Sequence, residues 1–225
     1  MLPMLHGLVS QGGATTLLQG LSWWFDFDEP SDGSGSVARL DSGAGESLTD
    51  NNTIASATDG SDTVASIVRA NSEYFSHANG AKWQAGNNEF TFVGWLKPTT
   101  LNVNAGYVAK TNEFVFNQSG TDPNFILYNG SGTIRAQVAA GAGLTNLATG
   151  AWYPFRFGYD KTRTRAFWQI GTGGLYYEKD TTGAPGTNTN AMFIGAFITQ
   201  YYNGLAKNFA KYDRLVSWCE WVQFC

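Results

Sequence analysis

Short stretches that alternate between apolar and polar residues, or that are rich in β-branched and aromatic residues, recur along the chain between turn-forming residues. In FTFVGWLKP, Phe90 and Phe92 fall on one face of an extended strand and Val93 falls on the other, because successive side chains of a strand point to opposite faces. The stretch WYPFRFGYD has a wholly aromatic face, made of Tyr153, Phe155, Phe157 and Tyr159. No helical period is sustained before the C-terminal end, so the pattern predicts roughly a dozen strands.

The order of these stretches predicts two packed antiparallel sheets with no linker between them. The first clear strand is LSWWFDFDE, residues 21–29, which the turn-forming PSDGSGS ends. WYPFRFGYD and RAFWQIG flank the turn DKTRT and predict a hairpin. LVSWCEWVQF, residues 215–224, fits either a short closing helix or a final strand. We therefore predict an all-β sandwich over residues 20–225, preceded by an N-terminal arm at residues 1–19.

The composition favours a folded domain that binds neither nucleic acid nor an acidic membrane. Hydrophobic residues make up 43% of the 225 residues and aromatic residues 15%, which is too much apolar surface for a disordered chain. The 27 glycines and the low charged fraction of 14% suit short strands joined by uncharged turns. The net charge of −4 gives no basic surface for nucleic acid. Apolar runs stay far below the ~18 residues of a membrane helix.

Several stretches together resemble the concanavalin A-like, laminin G-like jelly-roll family. GLSWWFDFDEPSDG is similar to its opening strand, SLTDNN and ANSEYFSHA to its next segments, and FTFVGWLKP to its FTxxxWVxP strand. GAWYPFRFGYDKTRTRAFWQIG resembles its GxWY hairpin, and YNGLAKNFAKYDRLVSWCEW its closing stretch. The resemblance covers residues 20–222 and implies an antiparallel two-sheet jelly roll of the concanavalin A-like lectin/glucanase fold. This fold carries lectins, glycanases and adhesion modules, so the fold alone does not give the function.

The carboxylates of WWFDFDEP do not form the acid pair that the glucanases of this fold use. Those enzymes place a nucleophile and an acid on one face of a strand, about 5–5.5 Å apart. Asp26 and Asp28 share a face, but Glu29 points to the other side. No later stretch supplies two carboxylates at that spacing, and neither His6 nor His77 lies near a nucleophile-elbow sequence. The sequence therefore predicts a protein that is not an enzyme.

Two interpretations of the acidic turn remain open. Asp28 and Glu29 can end the strand by accepting hydrogen bonds from backbone N–H groups of the PSDG turn. Alternatively, Asp28 and Asp32 bind calcium together with backbone carbonyl groups, since calcium takes six to eight oxygen ligands. Calcium is the one cofactor that the sequence suggests. At the family's G-x-I-D position the chain reads Gly204-Leu205-Ala206-Lys207, so the Asp sometimes found there is missing.

Aromatic residues beside loop-like stretches are the candidates for stacking on a sugar or for contact with another subunit. They are Trp83, Tyr176, Tyr177, Tyr201 and Tyr202. The tryptophans inside predicted strands are assigned to the core: Trp23, Trp24, Trp95, Trp152 and Trp168.

The biological setting that we predict is the surface of a bacteriophage virion, in a capsid decoration, fibre or tail-associated protein. The start of the chain reads poorly as a secretion signal, and a virus released by lysis needs none. The alternative is a secreted cellular carbohydrate-binding or adhesion module. The predicted partners are other virion proteins and a cell-surface glycan.

We also expect a homo-oligomer, with a trimer as the first candidate. Residues 1–19 and the C-terminal tail carry apolar side chains that would dock on a partner; the alternative is that both ends fold back onto their own sandwich. Cys219 and Cys225 are six positions apart with no turn between them, which favours free thiols over an internal disulfide. An interchain disulfide is the other option.

Overall fold

The computed structural model describes residues 19–27, 38–40, 47–101, 104–120, 122–139, 147–171, 175–217 and 220–221. Among these residues, two 3₁₀ turns, Arg69–Asn71 and Ala81–Trp83, accompany the strands. The strands of this part of the chain are β1 (Leu21–Phe25), β2 (Ala38–Leu40), β3 (Ser47–Asn51), β4 (Ala55–Asp59), β5 (Asp62–Ile67), β6 (Tyr74–His77), β7 (Phe90–Pro98), β8 (Ala105–Lys110), β9 (Phe114–Ser119), β10 (Asp122–Tyr128), β11 (Ile134–Ala139), β12 (Tyr153–Asp160), β13 (Arg165–Ile170), β14 (Leu175–Asp180), β15 (Met192–Ile194), β16 (Ala196–Phe197), β17 (Gln200–Tyr201) and β18 (Gly204–Tyr212).

The strands form two antiparallel sheets that pack face to face, which confirms the predicted all-β jelly-roll sandwich. The first sheet has the order β14-β13-β12-β7-β18-β5-β4, with β1 paired to β18. The second sheet has the order β11-β10-β9-β8-β15-β6-β3-β2. A small hairpin, β16–β17, lies over β8, where Gly106 permits close approach: a Cβ there would meet the Ala196 backbone at 2.2 Å.

The core lies between the sheets and is dominated by aromatic rings. Phe92 of β7 and Phe157 of β12 stack at 4.8 Å between ring centroids with a 3° angle between planes. Phe116 of β9 reaches Phe157 from the opposite sheet at 4.8 Å. The inward faces predicted for β7 and β12 are confirmed, because Phe90, Phe92, Phe155, Phe157 and Tyr159 are all buried in this core and Tyr153 packs against it. Alternation of side chains therefore fixed which residues of these strands face outward.

The first strand is shorter than predicted, because it ends at Phe25 and not at residue 29. Phe27 has a φ of 65°, outside the β region, which turns the backbone out of the strand. Its ring is fully buried and stacks on Phe75 at 4.6 Å. The Phe27 ring therefore lies in the core, although the backbone of Phe27 has a positive φ that is unfavourable for residues other than glycine.

Strand β18 pairs with β7 on one side and changes partner along its length on the other. Its first part, Gly204–Ala206, pairs with β5 and its last part, Phe209–Tyr212, pairs with β1. Asn208 lies at a register shift against β7 and has a φ of 54°, as expected of a β-bulge. The bulge allows one strand to join both neighbours.

The segment after β18 returns across the outer face of the first sheet. Val216 and Trp221 are buried in a second apolar cluster with Val93, Ala210 and Tyr212. Glu220 and Trp221 are helical, so this end of the described chain adds no further strand. The alternative in which the C-terminal end folds back onto its own sandwich therefore holds for Val216 and Trp221.

Candidate functional site

A cleft of about 290 Å³ lies on the outer face of the first sheet; we call it the outer-face cleft. Its floor consists of outward-pointing side chains of β12, β13 and β14, and its wall is the segment after β18. The lining residues are Arg156, Asp160, Arg163, Phe167, Tyr176, Leu215, Val216, Ser217 and Glu220. Because the inward residues of the same strands fill the core, the alternation that builds the sandwich also builds this floor.

Tyr176 presents an aromatic ring to solvent in this cleft. Its side chain is 41% exposed, in contrast to the buried aromatic residues of the core. The ring stacks on Phe167 at 6.0 Å with a 28° angle between planes. The phenol donates a hydrogen bond to Glu178 at 2.9 Å. Partial burial, with a contribution from Glu178, raises the pKa of Tyr176 to about 12, so the hydroxyl is neutral at physiological pH.

Arg156 connects the aromatic floor to the wall of the cleft. Its guanidinium carbon lies 5.5 Å from the ring centre of Phe167 and 5.6 Å from that of Tyr176, which is within cation–π range. The same group donates to Gln169 Oε1 at 2.8 Å and to the carbonyl oxygen of Val216 at 2.5 Å. Tyr176 is therefore held by a ring on one strand and by an arginine on another.

Charged side chains next to Tyr176 form a paired network. Arg163 donates to Glu178 at 2.6 Å, and Arg165 contacts both Glu178 and Asp180. Burial alone would raise the pKa of Glu178, but hydrogen bonds from Tyr176, Arg163 and Arg165 outweigh it and lower the pKa below its ordinary value. Glu178 therefore carries a full negative charge that its neighbours balance.

The wall of the cleft is fixed by Glu220. Its carboxylate accepts a hydrogen bond from the backbone N–H of Ser217 at 2.7 Å and another from Arg214 at 3.0 Å. Burial alone would raise the pKa of Glu220, but the hydrogen bonds from Ser217 and the charge of Arg214 outweigh it and lower the pKa. Both carboxylates, Glu220 and Glu178, are thus ionised at neutral pH and can accept hydrogen bonds from hydroxyl groups.

Asp160 is already engaged in the hairpin turn at the floor of the cleft. Its Oδ1 accepts a hydrogen bond from the backbone N–H of Arg163 at 2.8 Å. The carboxylate is almost buried, with 9% of the side chain exposed, and the Arg163 guanidinium lies 4.0 Å away. The outer-face cleft therefore combines one exposed ring with donors and acceptors that the fold holds in place.

The structure separates the five aromatic residues that the sequence predicted as ligand contacts. Tyr176 lines the outer-face cleft, whereas Tyr177 points to the opposite side of β14 and stacks on the core residue Trp168 at 4.5 Å. Tyr201 is half-buried beside Tyr74, at 6.0 Å between ring centroids. The predicted residues therefore do not form one site.

Trp83 and Tyr202 are buried, which removes the exposed ring face that stacking on a sugar requires. Trp83 is 0% exposed and lies between Trp23, at 4.4 Å, and His77, at 4.2 Å. Tyr202 is 1% exposed and donates to the carbonyl oxygen of Leu205 at 3.1 Å. Their positions next to loops in the sequence gave no information about depth, so both predictions are corrected to core positions.

Three tryptophans that the sequence assigns to the core lie outside the aromatic core cluster: Trp24, which is half-buried against the second apolar cluster, Trp95 and Trp152. Trp95 and Trp152 are half-buried on the outer side of the first sheet, where the Lys207 ammonium lies 5.8 Å and 4.7 Å from their ring centres. Trp152 also donates to Asp59 at 2.5 Å, and Asp59 pairs with Lys97 at 2.8 Å. The alternation of β7 had already placed Trp95 on the face opposite Phe92.

Sequence reasoning missed most of the outer-face cleft. Arg156 and Phe167 could have been found from alternation, since they occupy the outward positions of the predicted hairpin. Ser217 and Glu220 had no comparable signal, because their place depends on the return of the chain across the sheet.

The two predicted calcium ligands, Asp28 and Asp32, lie outside the described residues. Within the described ranges, no group of three or more His, Cys, Asp or Glu side chains is arranged to hold a metal ion. The calcium site stays a prediction from the sequence. Over the same ranges, no helix has the length and apolar character needed to cross a membrane.

Solved structures share the fold at low sequence identity. The binding domain of Paraclostridial Mosquitocidal Protein 1 matches with a TM-score of 0.71 and 11% identity, over 91% of this chain and 52% of that chain. The binding domain of Botulinum Neurotoxin DC, solved in complex with SialylT, matches with a TM-score of 0.65 and 9% identity, over 91% and 51%. This chain therefore spans about half the length of these two toxin domains.

A third similar structure has nearly the same length as this chain. Domain 4 of AbnA, an extracellular arabinanase from Geobacillus stearothermophilus solved in complex with arabinotriose, matches with a TM-score of 0.60 and 14% identity, over 91% of this chain and 97% of that chain. Neither a known protein family nor a curated protein matches the sequence.

Proposed function

We propose that this protein is a non-enzymatic carbohydrate-binding module that stacks a sugar ring on Tyr176 in the outer-face cleft. The observation that carries the proposal is the exposed Tyr176 ring, held in place by Phe167 and Arg156 and surrounded by fixed polar groups. An aromatic face covers the apolar side of a sugar ring, while the charged groups around it meet the hydroxyls. Because the ring is already held in place, little ordering entropy opposes binding.

The similar structures support this class of function. Domain 4 of AbnA was solved with arabinotriose and the botulinum DC domain with SialylT. The lowered pKa values of Glu220 in the cleft and of Glu178, which accepts a hydrogen bond from Tyr176, support binding over hydrolysis. A hydrolase would need one carboxyl group with a raised pKa beside a second, ionised one.

The test is a glycan array followed by titration calorimetry on the best ligand. We expect Tyr176→Ala to weaken binding at least about tenfold, and Tyr176→Phe to stay within a few-fold of the natural protein because it keeps the ring. Tyr201→Ala, a change on a ring outside the cleft, serves as the control and should bind normally. Equal binding by the Ala and Phe variants at position 176 would exclude Tyr176 as the stacking residue.

Absence of hydrolysis is tested separately. The protein is incubated with laminarin, agarose and arabinan, and reducing ends are measured. We expect no release above buffer; robust turnover that disappears in Glu220→Gln or Asp160→Asn would identify a hydrolase.

For the setting, we propose the surface of a bacteriophage virion, with other virion proteins as partners; a secreted cellular module is the alternative. Mass spectrometry of purified virions and of the host secretome distinguishes the two.

A homo-oligomer, with a trimer as the first candidate, is part of the same proposal and is tested by light scattering with and without residues 1–19. A monomer in both forms contradicts it.

Calcium bound at Asp28 and Asp32 would stabilise the folded protein, so this proposal predicts a lower melting temperature in EGTA.

A further inference from the structure

The charges that line the outer-face cleft are balanced. Two arginines, Arg156 and Arg163, stand beside two carboxylates, Asp160 and Glu220. Each carboxylate has a cation nearby: the Arg163 guanidinium lies 4.0 Å from Asp160, and Arg214 contacts Glu220 at 3.0 Å. The second neighbours continue the pattern, since Arg163 also pairs with Glu178 at 2.6 Å.

This balance disfavours a ligand that carries its own negative charge. A carboxylate placed over Tyr176 would lie near Asp160, Glu178 and Glu220, and it would have to compete with Glu178 for Arg163. Like charges brought together without a new partner oppose binding. The arginines beside the ring are already engaged by carboxylates, by Gln169 and by the Val216 carbonyl group.

An uncharged sugar meets no such penalty. A hydroxyl group is both donor and acceptor, so it can add to a paired arginine and carboxylate without breaking the pair. Arg163, which lines the cleft, has half of its side chain exposed, and its partner Glu178 has 22% exposed, so a hydroxyl group can reach the pair from solvent.

We propose that the outer-face cleft selects uncharged sugars over sugars that carry a carboxylate, such as sialic acids. The inference rests on the proposed carbohydrate-binding function and names its ligand class. It follows from the pairing of every acidic group around the Tyr176 ring with an arginine.

The experiment compares two glycans that differ by one terminal residue. A galactose-terminated oligosaccharide and the same oligosaccharide capped with sialic acid are titrated into the full chain by calorimetry, beside arabinotriose as a second uncharged probe. We expect the best uncharged glycan to bind at least about tenfold tighter than the sialylated one. Equal or tighter binding of the sialylated glycan overturns the inference while the proposed function stands. Binding of none of the three, repeated on a neutral glycan array, overturns the proposed function and the inference with it.

A charge variant tests the physical reason. Asp160→Asn keeps an oxygen that can accept the hydrogen bond from the Arg163 backbone and removes one negative charge from the cleft. We expect it to improve binding of the sialylated glycan about threefold relative to the uncharged glycan. The matched control is Asp62→Asn, which makes the same net-charge change at the Lys207 pair outside the cleft and should leave the ratio unchanged. An unchanged ratio in Asp160→Asn, with a normal melting temperature, contradicts the charge-balance argument.

Discussion

Single residues decide where charge can be buried in this protein. Lys110 and Glu113 are both fully buried and pair at 2.6 Å. The Glu113 carboxylate also accepts hydrogen bonds from the backbone N–H groups of Ala85, at 2.9 Å, and Asn188, at 2.6 Å. The pair therefore ties two loops to the β8–β9 turn, and its polar atoms have partners within the protein.

We expect Glu113→Gln to lower the free energy of unfolding by about 3–5 kcal/mol, because it leaves the buried Lys110 ammonium without its counter-charge. The measurement is urea denaturation followed by tryptophan fluorescence. Asp62→Asn is the control for removing an exposed ion pair, and it should cost at most about 1 kcal/mol. A similar loss in both variants would show that the buried pair has no special role.

Two carboxylates in and beside the outer-face cleft, Glu220 and Glu178, make the stability depend on pH. The pKa values of Glu178 and Glu220 in the folded protein lie below their ordinary value of 4.5. Such groups stabilise the folded state fully above the unfolded pKa, and the contribution is lost as the pH falls through the folded pKa. The melting temperature should therefore decline as the pH is lowered below about 4.5.

Glu178→Gln should show a shallower decline over the same range, since it cannot gain a proton. Thermal melts of both proteins at matched ionic strength check this prediction. Parallel pH profiles for the two proteins would mean that Glu178 contributes nothing to the acid sensitivity.

At the scale of elements, the segment after β18 serves both stability and the cleft. Trp221 is 2% exposed and lies against the outer face of the first sheet, near Trp95. Val216 in the same segment accepts a hydrogen bond from Arg156 in the floor. Loss of the Trp221 anchor should therefore loosen the wall of the cleft.

We expect Trp221→Ala to cost about 3 kcal/mol of unfolding free energy and to weaken glycan binding in the remaining folded protein. Urea denaturation and calorimetry on the same sample measure the two effects. Ile198→Ala, a change at a residue that is 68% exposed, is the control and should lower neither the stability nor the binding; because Ile198 is β-branched and has a φ of 59°, a small gain in stability is expected. If Trp221→Ala is less stable but binds the glycan normally, the wall of the cleft does not take part in glycan recognition.

Strands with strong patterns could be predicted from the sequence, and strands without them could not. The hairpin β12–β13 was found because aromatic residues alternate along it. Alternation does not mark β2, β3 and β4, because ARL, SLTDN and ASATD are short and the last two are largely polar or small; SLTDNN stands out only through the family resemblance. They lie at or next to sheet edges, where burial on one face is weak and alternation carries little signal.

The outer-face cleft was predictable only in part, for a different reason. Tyr176 was identified from its neighbourhood in the sequence, but Arg156 and Val216 are sixty positions apart and meet only through the return of the chain. The burial of a side chain also depends on the tertiary structure. The sequence therefore predicts both Trp83 and Tyr176 as ligand contacts, although Trp83 is buried and Tyr176 is exposed.

At the scale of the whole molecule, one aromatic core joins the two sheets. Phe157 of the first sheet contacts Phe116 and Phe125 of the second, at 4.8 Å and 5.0 Å. Because the facing sides of the two sheets share this one core, we expect both sheets to unfold in one cooperative transition. Circular dichroism of the strands and tryptophan fluorescence should give the same urea midpoint. Two separated midpoints would show that one sheet survives without the other.

The pairing of β1 with β18 determines how the protein responds to a pulling force. The two strands are antiparallel, with Leu21 opposite Tyr212, and the Asp213 N–H donates to the Gly20 carbonyl oxygen at 2.7 Å just beyond them. Tension applied through residues 19 and 214 would thus enter and leave at the same end of the pair. The tension would load the hydrogen bonds between β1 and β18 one after another, whereas a shear geometry would load them all together. Pulled in this direction, the domain should open at low force, beginning at Gly20 and proceeding towards Phe25.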